Sequence, residues 1–246
     1  MAASKGGVGK TTSAVNLAMG LSLAGYSVLL IDADTQGLAG FMLGMRPEAG
    51  LAELVTREVE AAEAIVPARD KLWFLAGGKS LAAAKRFIQR QDFGGETVLA
   101  EFLGEVDADF EYVVVDTAPG WDTLTVNTLF YVTEILAPVS MDLMSLQGLN
   151  DFVKSVASIQ AYRADVALAY VLPTFFGPKE EKSKKMLQKI AEIYGKNVCA
   201  PIRLDPMLAE SPGGGQTIYE YAPGSIGAND YRELVRTVSN NHTLFR

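Results

Sequence analysis

The sequence predicts an α/β fold in which a mostly parallel, twisted sheet is flanked by helices. Three observations predict it. Short β-branched runs at 27–32, 71–75, 111–116, 134–138 and 166–172 alternate with longer segments of helical periodicity. The two clearest runs, 27–32 and 111–116, are almost wholly apolar, as strands buried on both faces are, and each ends in an acid. A glycine-rich loop stands directly ahead of the first helical segment. A length of 246 residues, with no repeat or interdomain linker, suits one domain over 1–246.

Taken in order, residues 11–24 carry Ala14, Leu17, Ala18 and Leu21 at helical spacing, and Gly25 follows where a C-cap glycine is expected. The stretch 37–103 is alanine-rich and reads as mostly helical, interrupted by the strand at 71–75. Residues 182–194 read as an amphipathic helix. Residues 231–238 read as a terminal helix with Leu234, Val235 and Val238 inward, and 211–215 as a loop. In such a sheet, function is expected at the carboxyl ends of the strands.

Composition narrows the chemistry. The only cysteine, Cys199, excludes an internal disulfide or a Cys-based metal site, and the only histidine, His242, is a poor general base near the chain end. Reactions must therefore run on carboxylates, lysines, hydroxyls and backbone amides. The net charge of −7 argues against constitutive coating by nucleic acid. No signal peptide is evident, and no apolar run approaches the roughly 20 residues of a membrane span, so a cytoplasmic protein is expected.

Lys5-Gly-Gly-Val-Gly-Lys10-Thr11-Thr12 is the most informative segment. Gly6, Gly7 and Gly9 let the backbone, including Val8, turn its amides inward, and the next helix aims its positive N-terminus at the same point. This is a phosphate-binding loop, and it makes the predicted architecture a single-domain P-loop fold. Lys10 supplies a charge at the outer phosphates, the Thr11 hydroxyl a Mg²⁺ ligand, and Thr12 a further cradle position. Asp32 and Asp34 follow one strand and Asp116 another; a period of two aims Asp32 and Asp34 to the same side if the strand continues that far.

The loop departs from the ordinary form: Ser4 replaces a glycine and is followed by an extra lysine, Lys5. This variant resembles the deviant Walker A motif of the ParA/MinD family of ATPases. The resemblance extends over essentially the whole chain: Ile31-Asp-Ala-Asp34-Thr-Gln-Gly37, Asp116-Thr-Ala-Pro119, Leu146-Gln-Gly-Leu149, Leu208-Ala-Glu-Ser-Pro212 and Ile218-Tyr-Glu-Tyr-Ala-Pro223 all resemble family segments, with Thr35 and Ala118 standing where the family usually has proline, and the last two resemble the ParA branch. It implies a slow ATPase using ATP and Mg²⁺, stimulated by a ParB-like centromere-binding activator. Lys5 would reach the partner's phosphates in an ATP-dependent homodimer, Asp34 would orient the attacking water, and Asp32 and Asp116 would lie at the Mg²⁺. Pro201 and Arg203, with the 173–176 segment, would lie at the adenine. It looks like a short form without an N-terminal helix-turn-helix.

Departures from the family pattern are also evident. Only Met1-Ala-Ala3 precedes the loop where relatives have a full apolar strand. Leu38 replaces a usual asparagine, and Met207, Gly224 and Ile226 are neutral where relatives often carry basic residues. Nonspecific double-stranded DNA nevertheless remains an expected partner. Residues 179–203 hold Lys179, Lys182, Lys184, Lys185, Lys189, Lys196 and Arg203 against three acids, a net +4 within a chain of net −7. Such a patch, doubled in a dimer, supplies salt-sensitive phosphate contacts, and a nucleoid-associated location follows.

The rivals are a positioner of a protein cargo, a MinD-like membrane-cycling ATPase and a metabolic enzyme on the same fold. The tail His242-Thr-Leu-Phe-Arg246 is too short an apolar segment for a stable membrane anchor. A reductase component would need bridging cysteines, and a cobyrinate-type synthetase is expected to need more chain than this.

Overall fold

The computed structural model describes residues 1–3 and 5–245. Helix α1 (Lys10–Leu23) follows Gly9 directly and closes before Gly25, which adopts the left-handed φ of 101° expected of the residue after a C-cap. Strand β1 (Val28–Ala33) is buried at every position and delivers Asp32 to its carboxyl end. The chain continues through α2 (Leu38–Leu43), α3 (Leu51–Val55), α4 (Ala61–Ala64), β2 (Ile65–Arg69) and β3 (Leu72–Leu75). Then come α5 (Leu81–Gln89), α6 (Val98–Gly104), β4 (Tyr112–Thr117), α7 (Thr123–Tyr131), β5 (Glu134–Ser140) and α8 (Leu143–Gln160). Strand β6 (Ala167–Thr174), α9 (Glu181–Tyr194), α10 (Pro206–Glu210), α11 (Ile218–Tyr221) and α12 (Ile226–Val238) complete it.

The strands form a sheet ordered β2-β3-β1-β4 and a β5-β6 pair. β1 runs parallel to both β3 and β4, and its register sets Asp32 opposite Asp116. β5 and β6 are also parallel. Residues 1–3 lie between the two groups without forming a full strand. The Met1 ammonium donates to Val115 O at 2.6 Å, Thr117 N donates to Met1 O at 3.2 Å, and Ala2 N donates to Leu136 O at 3.2 Å.

The single strand expected within 37–103 has a partner. The 37–103 stretch contains two strands, because β2 pairs antiparallel with β3 on the sheet edge. Its Pro67 and its lack of a buried alternating face make it an edge strand that carries almost no period-two signal. The 211–215 loop is a 3₁₀ turn over Ser211–Gly214. Helix α12 begins five residues ahead of its periodic segment at 231–238. α8 starts at Leu143 on an Asp142 cap, and α12 at Ile226 on a Ser225 cap.

Helices cover both faces. On one, α1 packs with α11 and α12 around Leu17, Leu21, Tyr231 and Val235; on the other, α3, α5 and α6 close over Leu29, Ile31 and Leu75. The α1 layer is also pinned by polar contacts. Ser13 Oγ and Tyr231 Oη are 3.1 Å apart, while Asn16 Oδ1 accepts from Ile218 N at 2.9 Å. Leu234 and Val235 are buried as expected, and Val238 is half-buried against the same core. Leu244 and Phe245 of the tail pack there too. No described helix is long and apolar enough to cross a membrane.

Candidate nucleotide and metal site

The glycine-rich loop leads into α1 as a tight cradle. Gly7 and Gly9 have φ of 72° and 83°; at Gly9 this left-handed backbone, rather than crowding, requires glycine. Thr174, at the carboxyl end of β6, donates to Val8 O at 3.0 Å and fastens the loop to the sheet. Lys10 opens α1 with its side chain curled under the loop, Nζ donating to Lys5 O at 3.2 Å. Burial pushes the Lys10 ammonium down, while the neighbouring Asp116 and Asp34 pull it up. Thr11 and Thr12 occupy the first turn, where orphan amides and the helix dipole favour an anion.

Asp116 is completely buried, and neither carboxylate oxygen has a hydrogen-bond partner at normal geometry. Burial raises it to about 6, opposed by the Thr11 hydroxyl, the Met1 ammonium and Lys10. An orphaned carboxylate beside a helix-initial threonine fits a hard divalent cation that takes few protein ligands and keeps water and phosphate oxygens. Asp34, nearly buried, accepts from Gln36 N at 3.0 Å through Oδ1 only.

Asp32 has a different occupation from the one expected of it. Its Oδ1 accepts from Asp34 N at 2.9 Å and its Oδ2 from Ala39 N at 3.1 Å, so both oxygens shape the 34–39 turn. Burial, and then Asp116, push it up to about 7. β1 ends at Ala33, so Asp34 enters the site from the turn rather than as a strand residue sharing a face with Asp32.

Lys5 does not point over its own loop. Its Nζ donates to Asp142 Oδ1 at 2.9 Å and to Ser145 Oγ at 3.0 Å, at the N-terminus of α8. Asp142 caps that helix through Ser145 N and accepts from Ser140 Oγ at 2.7 Å. Burial works to raise this carboxyl, but hydrogen bonds from Ser140, Lys5 and Ser145 hold it well below the usual carboxylate range. Asp142, Ser140 and Ser145 are site residues that the sequence reading missed. The available signal was an acid two residues past a strand end and three before a serine, which is an N-cap pattern.

The 173–176 and 201–204 segments lie side by side near the loop. Ile202 N donates to Pro173 O at 2.8 Å, and Phe176 N donates to Ile202 O at 3.0 Å. Pro201 is half-buried there. Arg203 is committed elsewhere: its guanidinium grips Asp230 of α12, with Nε 3.0 Å from Oδ2, and its own backbone N–H donates to the same carboxylate at 2.8 Å. On α9, Lys182, Lys185 and Lys189 are exposed on one face with no ion-pair partner among the described residues, whereas Lys184 pairs with Glu181. Lys179 is exposed just ahead of that helix.

A phosphate-binding loop at a sheet's carboxyl edge, facing a strand-end acid on each of two adjacent parallel strands, defines a P-loop nucleotide-hydrolase class of protein. A family model described as an AAA domain matches residues 1–168. The chromosome-partitioning ATPase Soj of Thermus thermophilus is 32% identical over 240 residues, covering 97% of this chain and 93% of that one. The chain belongs to the ParA/MinD family of partition ATPases.

Among solved structures, cobyrinic acid a,c-diamide synthase from Mycobacterium smegmatis, with a bound ATP analogue and magnesium, superposes with a TM-score of 0.83 at 27% identity, covering 100% of this chain and 95% of that one. Its similar length removes the expectation that a synthetase needs more chain than this. The septum site-determining protein MinD from Pyrococcus horikoshii, complexed with Mg-ADP, shares the fold with a TM-score of 0.80 at 19% identity, covering 96% and 93% of the two chains.

Proposed function

We propose that this protein is an ATP-driven switch that dimerises on ATP, holds DNA nonspecifically and is released when a ParB-like partner stimulates hydrolysis. In this reading it segregates DNA, and its location is cytoplasmic and nucleoid-associated. The observation that carries the proposal is Lys5. It is a second loop lysine whose ammonium is held at the α8 N-terminus instead of over its own phosphate cradle, free to be re-paired with a more highly charged anion.

The chemistry is positioning plus charge neutralisation. Loop amides from Gly6 to Thr12 and the α1 N-terminus hold the phosphates, and Lys10 faces the outer ones. Thr11 and Asp116 would hold magnesium, which supplies charge neutralisation at the phosphate oxygens. Asp34, with one oxygen tied to Gln36 N, keeps the other to orient water. Asp32 shapes the turn that carries Asp34. Lys5 of each subunit reaches the nucleotide of the other. Pro201 lies on the adenine side; Arg203 would act there only by holding the backbone in place, since Asp230 binds both its guanidinium and its own backbone N–H. Lys179, Lys182, Lys185 and Lys189 supply phosphate contacts to DNA, with Lys184 and Arg203 contributing less because each already has an acidic partner.

Retardation of duplex DNA of arbitrary sequence tests this reading. Binding should need ATP, fade steeply between low and moderate salt, and be lost in Lys5→Ala. Binding that is equal with ADP would sink it. A second reading, an ATP-dependent synthase, is favoured by the 27% match to the cobyrinic acid enzyme; it requires no ATP-dependent DNA binding. A membrane-cycling role is disfavoured by the packing of Leu244 and Phe245 on the protein's own core.

A further inference from the structure

Helix α5 touches the chain beyond both acid-bearing strands, β1 and β4, although it follows a third, β3. Ahead of it, the 76–78 turn is seated on the backbone that carries Asp34. Gly78 N donates to Asp34 O at 3.0 Å, the carbonyl that also accepts from Gly37 N at 3.1 Å. The approach leaves no space for side chains: a Cβ on Gly77 would strike Asp32 O, and one on Gly37 would stand 3.2 Å from Gly78 Cα. Leu81 N donates to Gly78 O at 3.0 Å, so α5 starts directly from this seat. Leu81, Ala84 and Ile88 then bury one face of the helix in the core that holds Leu29 and Ile31 of β1.

One turn in, Lys85 Nζ donates to Asp122 Oδ2 at 2.6 Å, and a turn later Gln89 Nε2 donates to Thr123 Oγ1 at 3.2 Å. Both partners open α7, and Asp122 directly follows the 117–121 segment that leaves Asp116. The cap does not need the lysine. Asp122 caps α7 through its other oxygen, which accepts from Thr125 N at 2.9 Å. What Lys85 adds is a link from that cap to α5, and through α5 to the Asp34 turn, spanning β1. Burial works to raise the half-buried Asp122 carboxyl, but hydrogen bonds from Lys85 and the Thr125 amide hold it below its ordinary value.

We propose that α5 is a strut fixing the Asp34 turn relative to the segment after Asp116, and that Lys85 is the positioning residue that closes it. The proposal rests on the reading of Asp34 as the group that orients water. Lys85 then acts on the hydrolytic step and not on nucleotide affinity, because the phosphate cradle is built by the glycine-rich loop and α1. A small misplacement of an orienting group costs rate steeply while leaving binding contacts in place.

Single-turnover ATP hydrolysis with protein in excess, paired with the affinity for a slowly hydrolysed ATP analogue, tests it. Lys85→Met should lower the rate about tenfold and leave the analogue affinity within about twofold of the parent. Lys85→Arg keeps the charge and should recover most of the rate. Asp122→Asn keeps a good cap and should lose as much rate as Lys85→Met, with the double variant no slower than either single one. An affinity loss as large as the rate loss, losses that multiply in the double variant, or no recovery by Lys85→Arg would overturn the strut. So would Lys85→Met hydrolysing as the parent does while Asp34→Ala is inactive. Asp34→Ala hydrolysing at the parent rate would instead overturn the reading of Asp34, and the strut with it.

Discussion

Lys5 Nζ and the Asp142 carboxylate lie 2.9 Å apart across 137 residues of sequence, and the same carboxylate caps α8. Both side chains are about two-fifths exposed, so the pair itself is worth at most about 1 kcal/mol. A bond this weak holds Lys5 in one place without preventing its transfer to a triphosphate. Asp142→Asn keeps a good helix cap while removing the charge that retains Lys5. The expected outcome is an unchanged melting temperature and a larger dimer fraction at limiting ATP, read by light scattering; a smaller fraction would show that Asp142 supports the dimer rather than competing with it.

Asp116 is buried without partners, so its ionised form destabilises the nucleotide-free protein. Its pKa is raised to about 6 from an ordinary 3.8, so the folded state binds the extra proton between those values. The penalty is therefore fully present above pH 6 and disappears as pH falls towards 4. Asp116→Asn should melt higher than the parent at pH 8 in the absence of nucleotide, with the gap shrinking through pH 5 and closing towards pH 4. Its ATP turnover should fall at least about a hundredfold, the scale of losing a preorganised electrostatic group. A gap that widens at acid pH would contradict the assignment.

The phosphate loop was legible because its chemistry is local: three glycines, a lysine and a threonine have to be close in sequence to form one cradle. Asp34 and Asp116 were legible from strand ends for the same reason. What could not be read depends on approach in space. Asp32 reads like Asp34, yet each of its oxygens accepts from a backbone amide of the turn it shapes. Arg203 reads as a free cation until Asp230, 27 residues away, is folded against it. β2 escaped notice because an edge strand containing a proline shows little periodicity.

The free lysines of α9 carry the DNA reading. Replacing Lys182, Lys185 and Lys189 together by alanine removes six phosphate contacts per dimer, so it should reduce the slope of log affinity against log salt by about 5 and leave nucleotide binding intact. Titrations of labelled duplex at several salt concentrations check this. An unchanged slope would move the DNA surface off this helix.

Gly20 lies where α1 meets α11 and α12. A Cβ there would sit 2.5 Å from Tyr219 Oη and 2.6 Å from Val235 Cγ2. Alanine would gain about 1 kcal/mol of helix propensity, but overpacking a rigid core costs about 1–3 kcal/mol. Gly20→Ala is therefore expected to lower the melting temperature by up to about 8 °C. Differential scanning calorimetry decides it, and a rise would mean that the three helices separate more easily than their packing indicates.

In the proposed switch, Lys5 exchanges Asp142 for the nucleotide of a second subunit. Sedimentation velocity with a slowly hydrolysed ATP analogue and Mg²⁺ tests it most directly. The parent chain is expected to sediment as a dimer with the analogue and as a monomer with ADP, and Lys5→Ala to remain monomeric with either while still binding nucleotide. A Lys5→Ala chain that dimerises as the parent does would contradict it.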